Sequence, residues 1–197
     1  MNPTILKLLF FFTLIPLQAF SQGSTKTKLL LFEVSALAGW GSSQLPSDAN
    51  VPSIGTFTLG AAIGINVKKI SIGVGYDYRT LTQYSDVDPT VGNRRGTFIS
   101  PATVFLRLNF ERIKFGLVLI SSGTYELTNI TSTGQKVIYT DPSIVRFDLI
   151  FKKQKRFTPL IYIETASFSG MQLDGVKSTL PANLTYTNFG AGIKYEY

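Results

Sequence analysis

Apolar residues in this chain recur at every second position, in eight separate runs. A period of two marks a β-strand, whose successive side chains point to opposite faces. The runs lie at about 28–40, 56–68, 70–80, 97–110, 113–124, 143–151, 157–168 and 184–197. One face of each is nearly continuous apolar surface. In the first run it is Leu30, Phe32, Val34, Ala36, Ala38 and Trp40; in the second, Phe57, Leu59, Ala61, Ile63, Ile65 and Val67. The other face carries Gly, Ser, Thr and Asn with one or two charges per run. The seventh run is the least regular. Placing Glu164 with the polar residues puts Ile161, Ile163 and Thr165 on the apolar side.

The connections alternate as well. Short turns are expected at Lys68-Lys69, at Glu111-Arg112 and across Lys152 to Arg156. Long connections are expected at about 41–55, 81–96, 125–142 and 169–183, all rich in Pro, Gly, Ser, Asp and Asn, as loops are. Short turns on one rim and long loops on the other is the arrangement of a transmembrane barrel. The predicted fold is therefore all-β: an eight-stranded antiparallel transmembrane up-and-down β-barrel with both chain ends on the short-turn rim.

A soluble lipocalin-like barrel is the main competing fold, because it too has eight strands. Its outward face would carry frequent Lys, Glu and Asp. The polar face here is too poor in charge for that role, and its small residues suit the cramped inside of a small barrel. The apolar face is mostly free of charge, as hydrocarbon requires; a charge at mid-bilayer would cost about 2–4 kcal/mol. Aromatics fall at both ends of the runs. Trp40, Tyr76, Tyr78 and Phe98 are assigned to the long-loop end, and Phe32, Phe110, Phe115, Phe151, Tyr195 and Tyr197 to the other. Pro101 and Pro159 are expected at strand edges or bulges.

Residues 1–21 read as a cleaved signal peptide. Lys7 supplies the charge, residues 8–15 the apolar core, and Ala19-Phe20-Ser21 the small-x-small cleavage pattern before Gln22. A short N-terminal segment, 22–27, leads into the barrel at 28–197. Export to the outer membrane follows, with both termini periplasmic.

The strand phases place ten charges on the inward face: Glu33, Asp77, Arg79, Arg107, Lys114, Arg146, Asp148, Glu164, Lys194 and Glu196. Both signs are present. An unpaired buried charge is strongly destabilising, so an internal salt-bridge network is expected to fill the lumen. A narrow ion path or a catalytic cluster is the functional alternative. The short-turn rim is basic, with Lys68, Lys69, Arg112, Lys152, Lys153, Lys155 and Arg156. It reads either as a solvated turn surface or as a contact for phospholipid headgroups or an acidic periplasmic partner.

Composition removes several functions. The chain has no cysteine and no histidine. Thiol chemistry, imidazole-based triads and most zinc and haem sites are excluded with them. No cofactor or metal is expected, and no enzyme activity. The net charge of +7 is not gathered in one long basic run, so nucleic acid is not expected as a partner. Gly73-Val74-Gly75 and Gly190-Ala191-Gly192 lie inside strands with no following helix, and so are not phosphate loops.

The last residues carry the sharpest motif. Gly192-Ile193-Lys194-Tyr195-Glu196-Tyr197 resembles the β-signal by which the outer-membrane assembly machinery recognises its clients, on Gly192, Tyr195 and Tyr197. That pattern usually has a polar residue two positions before the glycine, where this chain has Gly190. The whole mature segment resembles a small OmpA/OmpX-type barrel. More narrowly it is similar to the PorT-like outer-membrane β-barrel proteins of Bacteroidota, on its architecture and its termini. The resemblance implies a non-enzymatic structural or accessory subunit of an envelope complex serving secretion, assembly or uptake. Its partners would be outer-membrane lipid, the assembly machinery through the C-terminal strand, and a larger membrane complex. A narrow diffusion pore, a soluble lipocalin-like carrier and a membrane-embedded enzyme are the alternatives, the last weakest because such enzymes generally use a histidine.

Overall fold

The computed structural model describes residues 30–44, 53–84, 94–128, 136–152 and 157–197. The leader at 1–21, the segment 22–27 and Lys153, Lys155 and Arg156 lie outside the described residues. Nine strands are present: β1 (Leu30–Gln44), β2 (Ser53–Val67), β3 (Ile70–Tyr84), β4 (Arg94–Asn109), β5 (Ile113–Ile120), β6 (Thr124–Leu127), β7 (Val137–Phe151), β8 (Phe157–Leu173) and β9 (Val176–Glu196). β5 and β6 both run between β4 and β7, so they form one stave in two pieces. Every chain neighbour pairs antiparallel, and β9 pairs back onto β1 from Gln44↔Thr185 to Glu33↔Glu196. The result is a closed eight-stave barrel.

Closure leaves the staves without free edges where they pair, and alternation then decides what faces where. Leu30, Phe32, Val34, Phe57, Leu59, Ile63, Ile72, Val74, Val104, Ile161, Ile163 and Ile193 are all exposed on the outer wall. Their chain neighbours point into the bore. A soluble protein does not present so large a continuous apolar surface.

The staves are longer than the alternation predicts at the loop end. β3 continues to Tyr84 and β7 begins at Val137. The connection expected at 169–183 is mostly paired strand. β8 and β9 pair from Gly170↔Thr179 to Leu173↔Val176, around a turn at Asp174 and Gly175, both at positive φ. Turn-like composition misled the prediction there, because the ladder is made by backbone groups that composition does not report.

One stave changes phase. Gly75 pairs with Thr103, but Asp77 pairs with Ser100, so β4 holds three residues against two of β3. This bulge includes Pro101 and reverses the parity of everything beyond it. Below it Thr103, Phe105 and Arg107 point inward; above it Ser100 and Phe98 do. Phe98 is therefore not in the outer aromatic band to which the alternation assigns it. It is fully buried in the bore, edge-on to Phe168 at 5.7 Å. Residues 121–123, between β5 and β6, face the bulge. There Gly123 sits at φ 128°, and a Cβ on it would come within 2.4 Å of the Ile99 carbonyl oxygen and 2.9 Å of the Phe98 ring. Glycine is what that backbone allows.

Candidate functional site

Two layers fill the bore. Toward the loop end lies an aromatic and aliphatic cluster: Ile54, Leu81, Phe98, Tyr125, Tyr139 and Phe168 are among its members, with Tyr186 at its base. Tyr125 stacks on Tyr139 at 5.7 Å and leans on Phe168 at 5.9 Å. Sequence reasoning missed this layer, since it assigned small and charged residues to the whole inward face. The missing signal was the parity change in β4, and a second one in β7, where Asp141 at φ 55° separates inward Tyr139 from inward Ile144.

Toward the short-turn end the ten inward charges come together. They form one unbranched sequence of ion pairs in which the sign alternates at every step. Glu164 accepts from Arg79 at 2.5 Å, and Arg79 donates on to Asp77 at 2.9 Å. Asp77 lies 3.5 Å from Arg146, which donates through Nε to Asp148 at 2.9 Å. Asp148 accepts from Lys194 at 3.0 Å, and Lys194 reaches Glu33 at 3.1 Å. Arg107 grips Glu33 with both terminal nitrogens, at 2.5 and 2.8 Å, and stands 4.0 Å from Glu196. Lys114 closes the series on Glu196 at 2.5 Å.

Seven strands contribute to this chain, all except β2 and β6. Five cations meet five carboxylates, so the bore is electrically neutral. Bidentate and charge-assisted geometry is what lets such a chain exist away from water. Tyr186 donates to Glu164 at 3.0 Å and joins the charged layer to the aromatic one. The Arg107 guanidinium lies over the Phe105 ring at 4.2 Å. A second polar group, Asn188 donating to Thr56 at 2.8 Å with Tyr162 beside it, fills the wall that β2 presents. Between Glu33, Asp77, Arg107 and Arg146 a cavity of about 20 Å³ remains, room for a single water.

The rims and the outer wall are different in character. Lys68 and Lys69 make the β2–β3 turn, Lys68 at φ 54°. Lys152 follows β7 directly; its backbone NH donates to the Arg112 carbonyl at 2.8 Å, and its ammonium donates to the Phe110 carbonyl. Partial burial, with Lys114 nearby, lowers the Lys152 pKa. In the terminal motif Gly192 lies in β9, where a Cβ would meet the Ala36 carbonyl oxygen at 2.4 Å. Tyr195 packs on Phe157 at 5.0 Å, and Tyr197 is exposed, its backbone NH donating to Phe32. On the outer wall a groove of about 630 Å³ runs between Phe115, Phe147 and Leu149 on one side and Phe189 on the other. Ile161, Ile163 and Ala191 form its bed.

No group of His, Cys, Asp and Glu among the described residues has the arrangement of a metal site, and no helix among them is long and apolar enough to cross a membrane. An apolar outer wall around a neutral, filled bore is the build of a small β-barrel suited to a bilayer.

No protein-family model matches the sequence, and no curated protein matches it. Solved structures match the fold. Neisserial surface protein A (NspA) superposes with a TM-score of 0.55 at 12% identity, covering 84% of this chain and 97% of its own. Ail, the attachment invasion locus protein of Yersinia pestis, gives a TM-score of 0.48 at 11% identity over 85% of this chain and all of its own. At such identity the likeness to NspA is one of fold, a closed eight-stranded antiparallel barrel.

Proposed function

We propose that this chain spans a bacterial outer membrane with both termini in the periplasm, as a non-enzymatic structural or accessory subunit of an envelope complex. The observation that carries the reading is the contrast between the two faces of the wall. The exposed outer face is apolar around the barrel. The bore is occupied by mutually paired charges and packed rings, with no more than a water-sized cavity. A carrier needs an internal cavity for its cargo, typically hundreds of Å³. A pore needs a continuous aqueous path. What is left to work with is outside: the loop-end hairpins, the turn rim and the wall itself. Kinship with the PorT-like group is part of this reading and rests on the termini and the architecture. Recognition by the assembly machinery would use Gly192, Tyr195 and Tyr197.

Fractionation with heat-shifted gel mobility tests the location. A soluble, heat-insensitive product would overturn it. Planar-bilayer recording tests the closed bore, and large stable conductance would refute it. Gentle detergent extraction followed by mass spectrometry tests the accessory role. Recovery of stoichiometric envelope proteins is expected, whereas a barrel that always purifies alone would argue against a subunit.

A further inference from the structure

The groove on the outer wall and the basic residues beneath it belong to the same pair of strands. Phe115 of β5 and Leu149 of β7 face each other across the ladder and form one side of the groove. Arg112 lies three residues below Phe115, and Lys152 three residues below Leu149, a drop of roughly 10 Å along the strands. The two basic residues are themselves adjacent, joined by the Lys152 NH and the Arg112 carbonyl at 2.8 Å, and both side chains are exposed. Glu111 is the acidic neighbour in this turn, and nearby Lys114 is already committed to Glu196. One positive charge therefore remains uncompensated at the foot of the groove.

The groove has a simple origin. Around the barrel one row of outward residues reads Leu108, Phe115, Leu149, Ile161, Ala191 and Ala38. The sudden drop to alanine, under Phe189, leaves a trough with an apolar lining. Neither a hydrogen-bonding ligand nor water gains anything there; a hydrocarbon chain does, at about 0.8 kcal/mol per buried methylene.

We propose that this is a binding site for one anionic glycerophospholipid, with an acyl chain in the Phe115–Phe189 trough and the phosphate on Arg112 and Lys152. The inference rests on the membrane reading above and adds a defined lipid to it. The partly buried Lys152 ammonium, whose pKa burial lowers, would be stabilised by the phosphate.

The test uses the full chain refolded into vesicles of phosphatidylglycerol and phosphatidylethanolamine, then extracted for native mass spectrometry. The wild-type barrel is expected to retain one phospholipid and to favour phosphatidylglycerol by about fivefold, the effect of one net positive charge at a lipid surface. R112Q/K152Q should bring the two lipids to parity while retaining one. Ala191→Trp, which fills the trough from the outer wall, should lose both. Phe189→Ala serves as a second variant that removes one wall, and it should weaken retention of both. Equal retention of the two lipids by the wild type, or full retention by Ala191→Trp and Phe189→Ala, would overturn the proposal. So would recovery of two copies of the chain joined at this face. A wild type that never acquires heat-shifted mobility in vesicles would overturn the membrane reading instead, which separates the two failures.

Discussion

Replacing Arg107 by methionine should be the most damaging change of a single charge in the bore. Arg107 is 2% exposed and holds Glu33 with two hydrogen bonds, at 2.5 and 2.8 Å. Methionine keeps most of the volume and the contact with Phe105, so the loss is electrostatic. Glu33 would then retain only Lys194 at 3.1 Å, and Lys194 is shared with Asp148. The bore would carry one uncompensated negative charge. Removing one partner of a buried pair costs about 3–5 kcal/mol, or roughly two to four powers of ten in the folding equilibrium. The double change Glu33→Gln with Arg107→Met restores neutrality and leaves the Lys194–Asp148 and Lys114–Glu196 pairs in place. It should cost clearly less than the single change. The assay is urea titration of the barrel in lipid vesicles, followed by gel mobility and by the fluorescence of Trp40, the sole tryptophan. A loss below about 1 kcal/mol for Arg107→Met would refute the argument, since that is the range of a solvated ion pair. So would a double variant no better than the sum of its parts.

Other changes probe other parts of the wall. Leu59→Arg places a charge midway along the outward face of β2 and should cost about 2–4 kcal/mol for folding into vesicles; a neutral result by the same titration would contradict burial of that face in hydrocarbon. Phe98→Ala should cost about 3–5 kcal/mol because the ring is inside the bore. A small effect in the unfolding midpoint would return Phe98 to the outer band. Gly192→Ala forces a methyl against the Ala36 carbonyl, and overpacking of that kind costs about 1–3 kcal/mol. The loss should appear on refolding into vesicles with no assembly machinery present, and a defect seen only in cells would make Gly192 purely a recognition residue.

Local rules made much of this barrel legible in the sequence. The pleat repeats every two residues, so the outward rows on β1, β2, β3 and β8 could be read directly from the chain. Leu59 and Ile161 stand on the exposed wall for that reason. The same counting placed the ten charges inside, but it carried no information about partners. Arg79 meets Glu164 across 85 residues of chain, and the strict alternation of sign appears only once the ladder registers are set.

Counting also fails wherever the backbone slips by one. The bulge at β4 turns Phe98 inward, and the left-handed Asp141 does the same service for Tyr139. Neither slip leaves a period of its own, so the aromatic layer at the loop end had no sequence signature. Nor could alternation find the outer groove, whose sides come from three strands brought together by closure of the wall. Periodicity is a property of one strand and was written in the residues. Pairing, parity and concavity are properties of several strands at once, and only the closed barrel decided them.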